Sequence, residues 1–295
     1  MDSAKAIAAL IHNKGPVQEY LEVIGKARPL ENPPIPCIAI PTTAGTGAEV
    51  TRNAVLTSEE HKVKVSLRSP KMFPHIALVD PGLTVPMPPA LTASTGMDAL
   101  TQLLESWVSK KATPITDSLC MEGIRRAARS LPEAYRDGSH MDARSDMSLA
   151  SLISGMTLTN AGLGAVHGIA GPLGGMCAVP HGVACAVLLP FVMETNIRAL
   201  EKSDPKSPVL TKILKASKIM TGSDSAHVED SIQWLRKLCL DLNIPPLSQC
   251  GLEALHIPTL AAQSLKTSSM KGNPVELSEE EIQKIIEKAF AWSSS

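Results

Sequence analysis

The spacing of apolar residues changes near residue 89, and this change constrains the fold more than any other feature of the sequence. Before it, short β-rich runs lie between turns. After Pro88 and Pro89, apolar residues recur at intervals of three and four, as they do on one face of a helix. The pattern predicts a chain of the α/β plus all-α class, with a small α/β segment at residues 1–88 and an all-helical domain at residues 89–295.

The first segment contains two predicted helices and four predicted strands. The helices cover 2–13 and 16–27, and the strands cover 37–41, 49–58, 62–69 and 75–80. The continuous apolar run CIAIP at 37–41 suits a buried strand, whereas 49–58 and 62–69 alternate apolar and polar residues, so a hairpin is predicted there. These strands are too few for an independent open sheet. A chain that opens in a helix resembles the second half of a βα unit.

The helical domain begins with ALTASTGMDALTQLLESWVS, directly after the two prolines. Prolines, glycines and Ser/Asp clusters of the kind that start and stop helices separate the segments that follow. Further helices are predicted at about 114–135, 142–161, 163–170, 181–200, 208–220, 227–242, 252–268 and 279–292. The last of them resembles a capping box followed by an amphipathic stripe.

Composition excludes several classes of protein. Hydrophobic residues make up 44% of the 295 residues, and 28 Lys and Arg balance 29 Asp and Glu. Such a chain has material for a core but no general electrostatic reason to bind nucleic acid or an anionic membrane. No apolar run reaches the roughly 18–20 residues of a membrane span, and a secretory signal is not recognisable. The six scattered cysteines, without CxxC spacing, predict reduced core thiols in a cytoplasmic protein.

A loop of threonines and glycines follows the predicted strand at 37–41. It reads PTTAGTGAE, and its two glycines, Gly45 and Gly47, allow the backbone to approach a ligand closely. Loops of this kind at the carboxyl end of a strand often hold a nucleotide phosphate or ribose. An ordinary strand-to-strand connection is the alternative, and residue types alone do not separate the two.

A carboxylate lies on an otherwise apolar helix face. Asp98 and Gln102 are four residues apart, so both side chains share that face. An unpaired buried charge is very costly, so Asp98 needs a partner. A metal ion, an arginine or a helix N-terminus would each supply one.

Two histidines lie in a stretch dense in glycine, AGLGAVHGIAGPLGGMCAVPHG. A single histidine in such a place is usually a core residue. His167 and His181 together with Asp98 begin to look like a divalent metal site, because neutral imidazoles and one carboxylate suit Zn or Fe(II). The remaining histidines are expected at the surface: His12, His61, His75, His140, His227 and His256.

Three stretches together resemble the iron-containing (group III) alcohol dehydrogenases. They are PTTAGTGAEVT, DPGLTVPMPPALTASTGMDALTQLLES and AGLGAVHGIAGPLGGMCAVPHGVACAVLLPFVMETN, and the resemblance covers nearly the whole chain in the same order. It implies a Rossmann-like domain that binds NAD or NADP, a helical domain that holds Fe(II) or Zn, and an active site between them, in the dehydroquinate synthase-like superfamily.

The resemblance also implies roles for individual residues. Catalysis would depend on Asp98, His167 and His181, which would ligate the metal together with Gln102. The residues expected to bind the cofactor are Asp2, Thr42, Thr43, Gly45, Thr46, Gly47 and Lys64.

The chain departs from the family pattern at three places. The family has His where this chain has Gln102, and glutamine is a weak ligand for zinc or iron. The family often has a second histidine where this chain has Gly171. Its Gly-Gly-Gly-Ser phosphate loop precedes the helix that here begins at Asp2, so we expect an N-terminally truncated dinucleotide domain lacking roughly three βα units of ~30 residues each.

These features lead to two functional hypotheses. The first is an NAD(P)-dependent, metal-assisted alcohol dehydrogenase or carbonyl reductase that acts on a small alcohol, aldehyde or ketone and is a homo-oligomer. The second is a protein of the same fold without hydride transfer, either a lyase-like or isomerase-like enzyme or an inert truncated form. Cofactor and metal binding distinguish the two.

Overall fold

The computed structural model describes residues 1–61 and 63–292. Lys62, where one predicted strand begins, and residues 293–295 of the predicted helical domain lie outside that range. The N-terminal part contains the helix α1 (Asp2–Leu10) and the strands β1 (Ile38–Ala39), β2 (Asn53–Ser58), β3 (Val63–Arg68) and β4 (Ile76–Ala77). β1 pairs with β4 in parallel, and β2 pairs with β3 in the predicted antiparallel hairpin, with Asn53 opposite Arg68.

A small core joins α1 to the hairpin. Ala6 and Ala9 of α1 pack with Tyr20 and Leu21 against the buried hairpin residues, which are Ala54, Val65 and Leu67. Lys5 is buried beside them and donates from Nζ to the carbonyl oxygen of Ala48 at 2.8 Å and to Oγ1 of Thr51 at 2.9 Å. The lysine thereby ties α1 to the chain just beyond the threonine-glycine loop.

The predicted helix at 16–27 is wrong. Only Val17–Tyr20 forms a single 3-10 turn. Leu21 then bridges to Leu67 of β3, and the amide of Glu22 donates to the carbonyl oxygen of Ser66 at 2.9 Å. Pairing with the hairpin therefore overrides the local helical pattern, and Val23 turns the chain with φ 67°.

The prediction of a buried strand at 37–41 is also wrong in part. The strand forms and Ala39 is buried, but Ile38 is 60% exposed and Ile40 47% exposed. The paired strand β4 likewise exposes Ile76. In larger parallel sheets, helices cover both faces of the sheet. The two short strands β1 and β4 leave the side chains of Ile38 and Ile76 exposed instead.

The described residues from 89 to 292 are mostly helical, as the change of pattern at residue 89 predicts. They contain α2 (Pro89–Val108), α3 (Pro114–Arg136), α4 (Met141–Ala161), α5 (Ala165–Met176), α6 (His181–Ser203), α7 (Pro208–Thr221), α8 (Val228–Asp241), α9 (Ile257–Ser264) and α10 (Glu279–Phe290). The predicted capping box is present at α10, where Ser278 Oγ accepts from the amide of Glu281.

α2 is the central helix of this domain. It begins at Pro89, a first-turn position that proline favours, and packs against α3, α4 and α6. Its residues are buried from Gly96 to Val108 without interruption, and this includes polar ones. Buried polar side chains need partners, so the polar groups of α2 locate the candidate site.

Within the described residues, one helix, α6, is long and apolar enough to cross a membrane by length and composition alone. Of its most apolar stretch, 83% is buried inside the protein. The apolar character of α6 is therefore that of a core helix, and it packs against α2, α5, α8 and α10.

Candidate metal centre

Three helices bring one carboxylate and two imidazoles together. Asp98 lies in the middle of α2, His167 in the first turn of α5 and His181 at the first position of α6. Oδ1 of Asp98 lies 3.3 Å from Nε2 of His167 and 3.6 Å from Nε2 of His181. The two rings have centroids 5.3 Å apart. The three residues that the sequence singles out therefore meet at one point.

Glu105 fixes the orientation of His167. Its Oε2 lies 2.6 Å from Nδ1 of His167, and its Oε1 accepts from the amide of Val166 at 2.6 Å. An ionised carboxylate can only accept, so Nδ1 of His167 carries a proton and donates to Glu105, and Nε2 is the nitrogen that faces Asp98. Metal-binding histidines commonly have such a carboxylate on the second nitrogen.

The start of α5 needs glycine at Gly164. A Cβ added there would lie 2.9 Å from Oε1 of Glu105 and 3.1 Å from Oδ1 of Asn273. Asn273 accepts from the amide of Ala165 at 3.2 Å, so the first turn of α5 is held from two sides. The dense glycines of this stretch thus permit the close approach that places His167.

His181 lies on the open side of the cluster. Its side chain is 42% exposed, whereas that of Asp98 is 2% exposed. Gly182 beside it touches α2, because a Cβ there would lie 2.1 Å from the carbonyl oxygen of Ser94. The start of α6 is therefore packed against α2, and His181 is the member of the cluster that solvent reaches.

A fourth side chain reaches the same point. Sγ of Cys185, one turn beyond His181 on α6, lies 3.7 Å from Nε2 of His181 and 3.8 Å from Nε2 of His167. One ligand atom each from Asp98, His167, His181 and Cys185 lie within 4.8 Å of one another. Such a set of oxygen, nitrogen and sulfur donors fits a divalent transition-metal ion.

The cluster is electrostatically coupled. Burial by itself would raise the pKa of Asp98, but the positive charge of His181 and the hydrogen bond from His167 outweigh it and lower that pKa. The pKa of His181 is raised to about 9, mainly by negative charge at Cys185 and also by Asp98, against its desolvation. A divalent cation would supply the positive charge that the imidazolium groups otherwise provide.

Gln102 is buried on the same face of α2, one turn beyond Asp98. Its amide oxygen, which is the atom that could bind a metal, accepts from Oγ of Ser154 at 2.8 Å. Ser154 also lies 2.7 Å from the carbonyl oxygen of Ser151 and 3.4 Å from that of Gly45. Gln102 is thus connected through Ser154 to the threonine-glycine loop.

The threonine-glycine loop packs against the helical domain through its glycines. A Cβ at Gly45 would lie 2.7 Å from Cβ of Thr95, and one at Gly47 would lie 2.5 Å from Cα of Gly155. Gly47 also has φ 60°. The threonine side chains are on the open side of the loop, with Thr42 and Thr46 exposed and Thr43 half-buried.

The two other residues expected to bind the cofactor lie on separate elements. Lys64 of β3 extends across α5, with Nζ 3.3 Å from the position of a Cβ at Gly174. Asp2 of α1 accepts from the amide of Val55 on β2 at 3.1 Å and lies 3.7 Å from Lys5. Lys64 thus lies over the helix that carries His167, whereas Asp2 is engaged with the hairpin.

Comparison with known proteins gives the same family over both parts of the chain. Residues 92–290 match the model of the Fe-containing alcohol dehydrogenase family, C-terminal, and residues 1–81 match that of iron-containing alcohol dehydrogenase. The chain belongs to the iron-containing alcohol dehydrogenase family, a family of oxidoreductases. This confirms the resemblance drawn from the three sequence stretches.

Individual relatives agree with the family models. The chain is 39% identical to the 1,3-propanediol dehydrogenase of Klebsiella pneumoniae, over 98% of this chain and 73% of the relative. It is 34% identical to the NAD-dependent methanol dehydrogenase of Bacillus methanolicus, over 98% of this chain and 74% of the relative. The crystal structure of a 1,3-propanediol oxidoreductase superposes with a TM-score of 0.89 at 38% identity, over 98% of this chain and 74% of the other. These matches confirm the predicted fold class.

Sequence analysis missed two residues of the centre. Glu105 continues the face of Asp98 and Gln102, three residues beyond Gln102, so extending the same spacing would have found it. Cys185 lies four residues beyond His181, which is also one helical turn. It is buried, as expected of a core thiol, but it is buried against the candidate ligands.

Proposed function

We propose that the chain is an NAD(P)-dependent, metal-assisted alcohol dehydrogenase or carbonyl reductase, which transfers a hydride between the nicotinamide and a small alcohol, aldehyde or ketone. The observation that carries the proposal is the meeting of Asp98, His167 and His181, of which His181 is exposed to solvent. The relatives named for 1,3-propanediol and methanol support the substrate class.

Asp98, His167 and His181 would hold an Fe(II) or zinc ion, and the donor set fits either. When bound, the ion supplies Lewis acidity that stabilises negative charge developing on the substrate oxygen. Glu105 keeps Nε2 of His167 aimed at the centre. The buried surroundings of Asp98 exclude water from the inner side, so the substrate would approach from the side of His181.

The cofactor would be NAD or NADP, bound by the N-terminal segment. In support of this, the exposed threonines of the loop and Lys64 of β3 lie on elements that contact the helices of the centre. Thr42, Thr43 and Thr46 would offer hydroxyls, and the close packing of Gly45 and Gly47 would fix the loop. The nicotinamide supplies or accepts the hydride. Asp2 would contribute at the start of α1.

The same proposal divides the chain into residues 1–88, a partial dinucleotide-binding domain, and residues 89–295, a metal-binding and catalytic domain. The separate hydrophobic cores around Leu67 and around Leu100 support that division. We further propose a cytoplasmic homo-oligomer. The six free cysteines fit a reducing compartment, and the exposed apolar residues of β1 and β4 favour self-association.

Metal analysis and cofactor titration of the purified protein test this function. We expect near-stoichiometric Fe or Zn, and a change in NADH or NADPH fluorescence on mixing with the protein. Oxidation of the reduced cofactor by a small aldehyde would then show hydride transfer. Neither metal nor cofactor binding would leave only the second hypothesis, a protein of this fold without hydride transfer.

A further inference from the structure

We propose that Cys185 is the fourth protein ligand of the metal centre, in the place that Gln102 was expected to take. The resulting set of Asp98, His167, His181 and Cys185 favours zinc over Fe(II). The inference rests on the proposed function in that it requires a divalent ion to bind at this cluster.

Four of the six distances among the donor atoms are close to those expected around one zinc ion. Bonds to zinc of about 2.0–2.1 Å from oxygen and nitrogen and about 2.3 Å from sulfur place neighbouring donors about 3.3–3.6 Å apart. Oδ1 of Asp98 lies 3.3 and 3.6 Å from the two imidazole nitrogens, and Sγ of Cys185 lies 3.8 and 3.7 Å from the same atoms. All four donor atoms lie within 4.8 Å of one another, so small side-chain shifts would bring them around one ion.

The amide oxygen of Gln102, which was expected to be the fourth ligand, has another partner. That oxygen accepts a hydrogen bond from the hydroxyl of Ser154 at 2.8 Å, and Ser154 is fully buried. Turning that oxygen towards the ion would give up the hydrogen bond that it accepts from this hydroxyl. A neutral amide oxygen is also a weaker ligand for zinc than a thiolate. Cys185 is therefore favoured over Gln102 as the fourth ligand.

The surroundings of Cys185 differ from those of another fully buried thiol. Cys239 donates from Sγ to the carbonyl oxygen of Ala186 at 3.3 Å, as a packing thiol does. The polar contacts of Cys185 within the described residues are instead with the side chains of the cluster. Since His181 and Cys185 are four residues apart, both project from one face of α6, the spacing by which a helix presents two ligands to one ion.

Charge also favours this set of donors. A carboxylate, a thiolate and two neutral imidazoles carry two negative charges, which balance a divalent cation in a buried site. Binding would release to solvent any protons that the sulfur and the imidazoles carry. Thiolate is a soft ligand and imidazole suits zinc, so this combination shifts preference from Fe(II) to zinc.

Cobalt(II) titration tests the assignment, because a thiolate on cobalt gives an intense near-ultraviolet charge-transfer band. We expect the wild-type protein to show this band and Cys185→Ser to lose it, with cobalt bound at least about tenfold more weakly. Gln102→Ala and Cys177→Ser should keep the band and the affinity. X-ray absorption of the zinc-loaded wild type should find one sulfur at about 2.3 Å.

The outcomes separate the two proposals. Cobalt binding without the band, or an unchanged band in Cys185→Ser, would overturn the role of Cys185 alone. A wild-type protein that binds no cobalt would overturn both the ligand and the metal-assisted function. A thiolate band in a protein that shows no hydride transfer would support Cys185 as a ligand and overturn the proposed function. If Cys185→Ser does not fold, the zinc–sulfur distance in the wild type decides.

Discussion

Glu105 and His167 form a hydrogen bond of 2.6 Å between Oε2 and Nδ1, in a part of the protein where both side chains are buried. Because Glu105 also accepts from the amide of Val166, its carboxylate is held by the backbone of α5 as well as by the ring. The two residues are 62 positions apart in sequence, so the contact joins α2 to α5. This contact between α2 and α5 therefore fixes the direction in which Nε2 of His167 points.

Glu105→Gln should weaken metal binding about 10–100-fold, the usual effect of removing such a carboxylate partner. The amide would still accept from Val166 through its oxygen, but its NH₂ group would face Nδ1 of His167. The ring would then accept on Nδ1 and carry its proton on Nε2, where the lone pair for the metal is required. Equilibrium dialysis with zinc measures the change.

Glu122→Gln serves as the matched control, because Glu122 is a partly exposed carboxylate on α3 that pairs with Arg125. It should leave zinc binding unchanged. Equal zinc affinity in wild type and Glu105→Gln would show that this carboxylate does not set the tautomer of His167.

His181→Ala should abolish metal retention and leave the fold intact. The side chain is 42% exposed, so its removal creates no buried cavity, yet it removes one of the candidate ligands. Metal content after gel filtration and far-ultraviolet circular dichroism measure the two effects. His12→Ala, which changes an exposed histidine on the N-terminal segment, should change neither. A variant that keeps its metal would remove His181 from the ligand set.

The helical domain could be predicted from the sequence because its signals are local. Pro89 and Pro114 start helices, and Ser278 with Glu281 forms a capping box, so neighbours in sequence decide these ends. The helix predicted at 16–27 failed because Leu21 pairs with Leu67, a contact that no local pattern contains. Tertiary pairing outweighs the modest helix propensity of a short segment.

The candidate site also contains residues that local sequence predicts and residues that only tertiary contacts reveal. Asp98, His167 and His181 were predicted because each stands out from its apolar or glycine-rich surroundings. Glu105 and Cys185 fit helical spacing equally well, but their importance depends on what lies opposite them on another helix. That α5 and α6 place their first turns beside Asp98 is a result of tertiary packing, which the sequence pattern does not contain.

Gly47→Ala should destabilise the protein by about 3 kcal/mol or more, since it combines backbone strain with overpacking. Gly47 has φ 60°, and an added Cβ would lie 2.5 Å from Cα of Gly155. Gly222→Ala is the matched control, because Gly222 has φ 67° but nothing lies within 4 Å of its Cβ position. That control should lose only about 1 kcal/mol. Equal losses in urea denaturation would show that the loop does not pack closely on α4.

Asp146→Asn should reduce the free energy of unfolding by about 2 kcal/mol at neutral pH. The carboxylate is 10% exposed and pairs with Arg126 and Arg129, each at 2.6 Å, and it also accepts from Ser130. Burial alone would raise its pKa, but these three partners outweigh burial and lower it. Arg129 is largely exposed, which limits its share of the stabilisation.

The effect of Asp146 should depend on pH in a defined direction. A lowered carboxyl pKa in the folded state stabilises the protein above the unfolded value of about 4, and this stabilisation is lost as pH falls through the folded value. The difference between wild type and Asp146→Asn should therefore disappear in acid. Asp224→Asn, at an exposed position, should show no such difference at either pH. A difference that grows on acidification would contradict the assignment.

Gln102→His should restore metal affinity to a protein that lacks the thiol of Cys185. In Cys185→Ala the ion would retain Asp98, His167 and His181, and a histidine at 102 would project from the face of α2 that carries Asp98. We expect Cys185→Ala to bind zinc at least about tenfold more weakly than wild type and the double variant to recover most of that loss. The recovered site should lack the thiolate-to-cobalt band and bind Fe(II) better relative to zinc, because an imidazole has replaced the soft sulfur ligand. No recovery of zinc affinity in a folded double variant would show that the side chain at 102 cannot reach the ion, and it would place the fourth ligand on α6 alone.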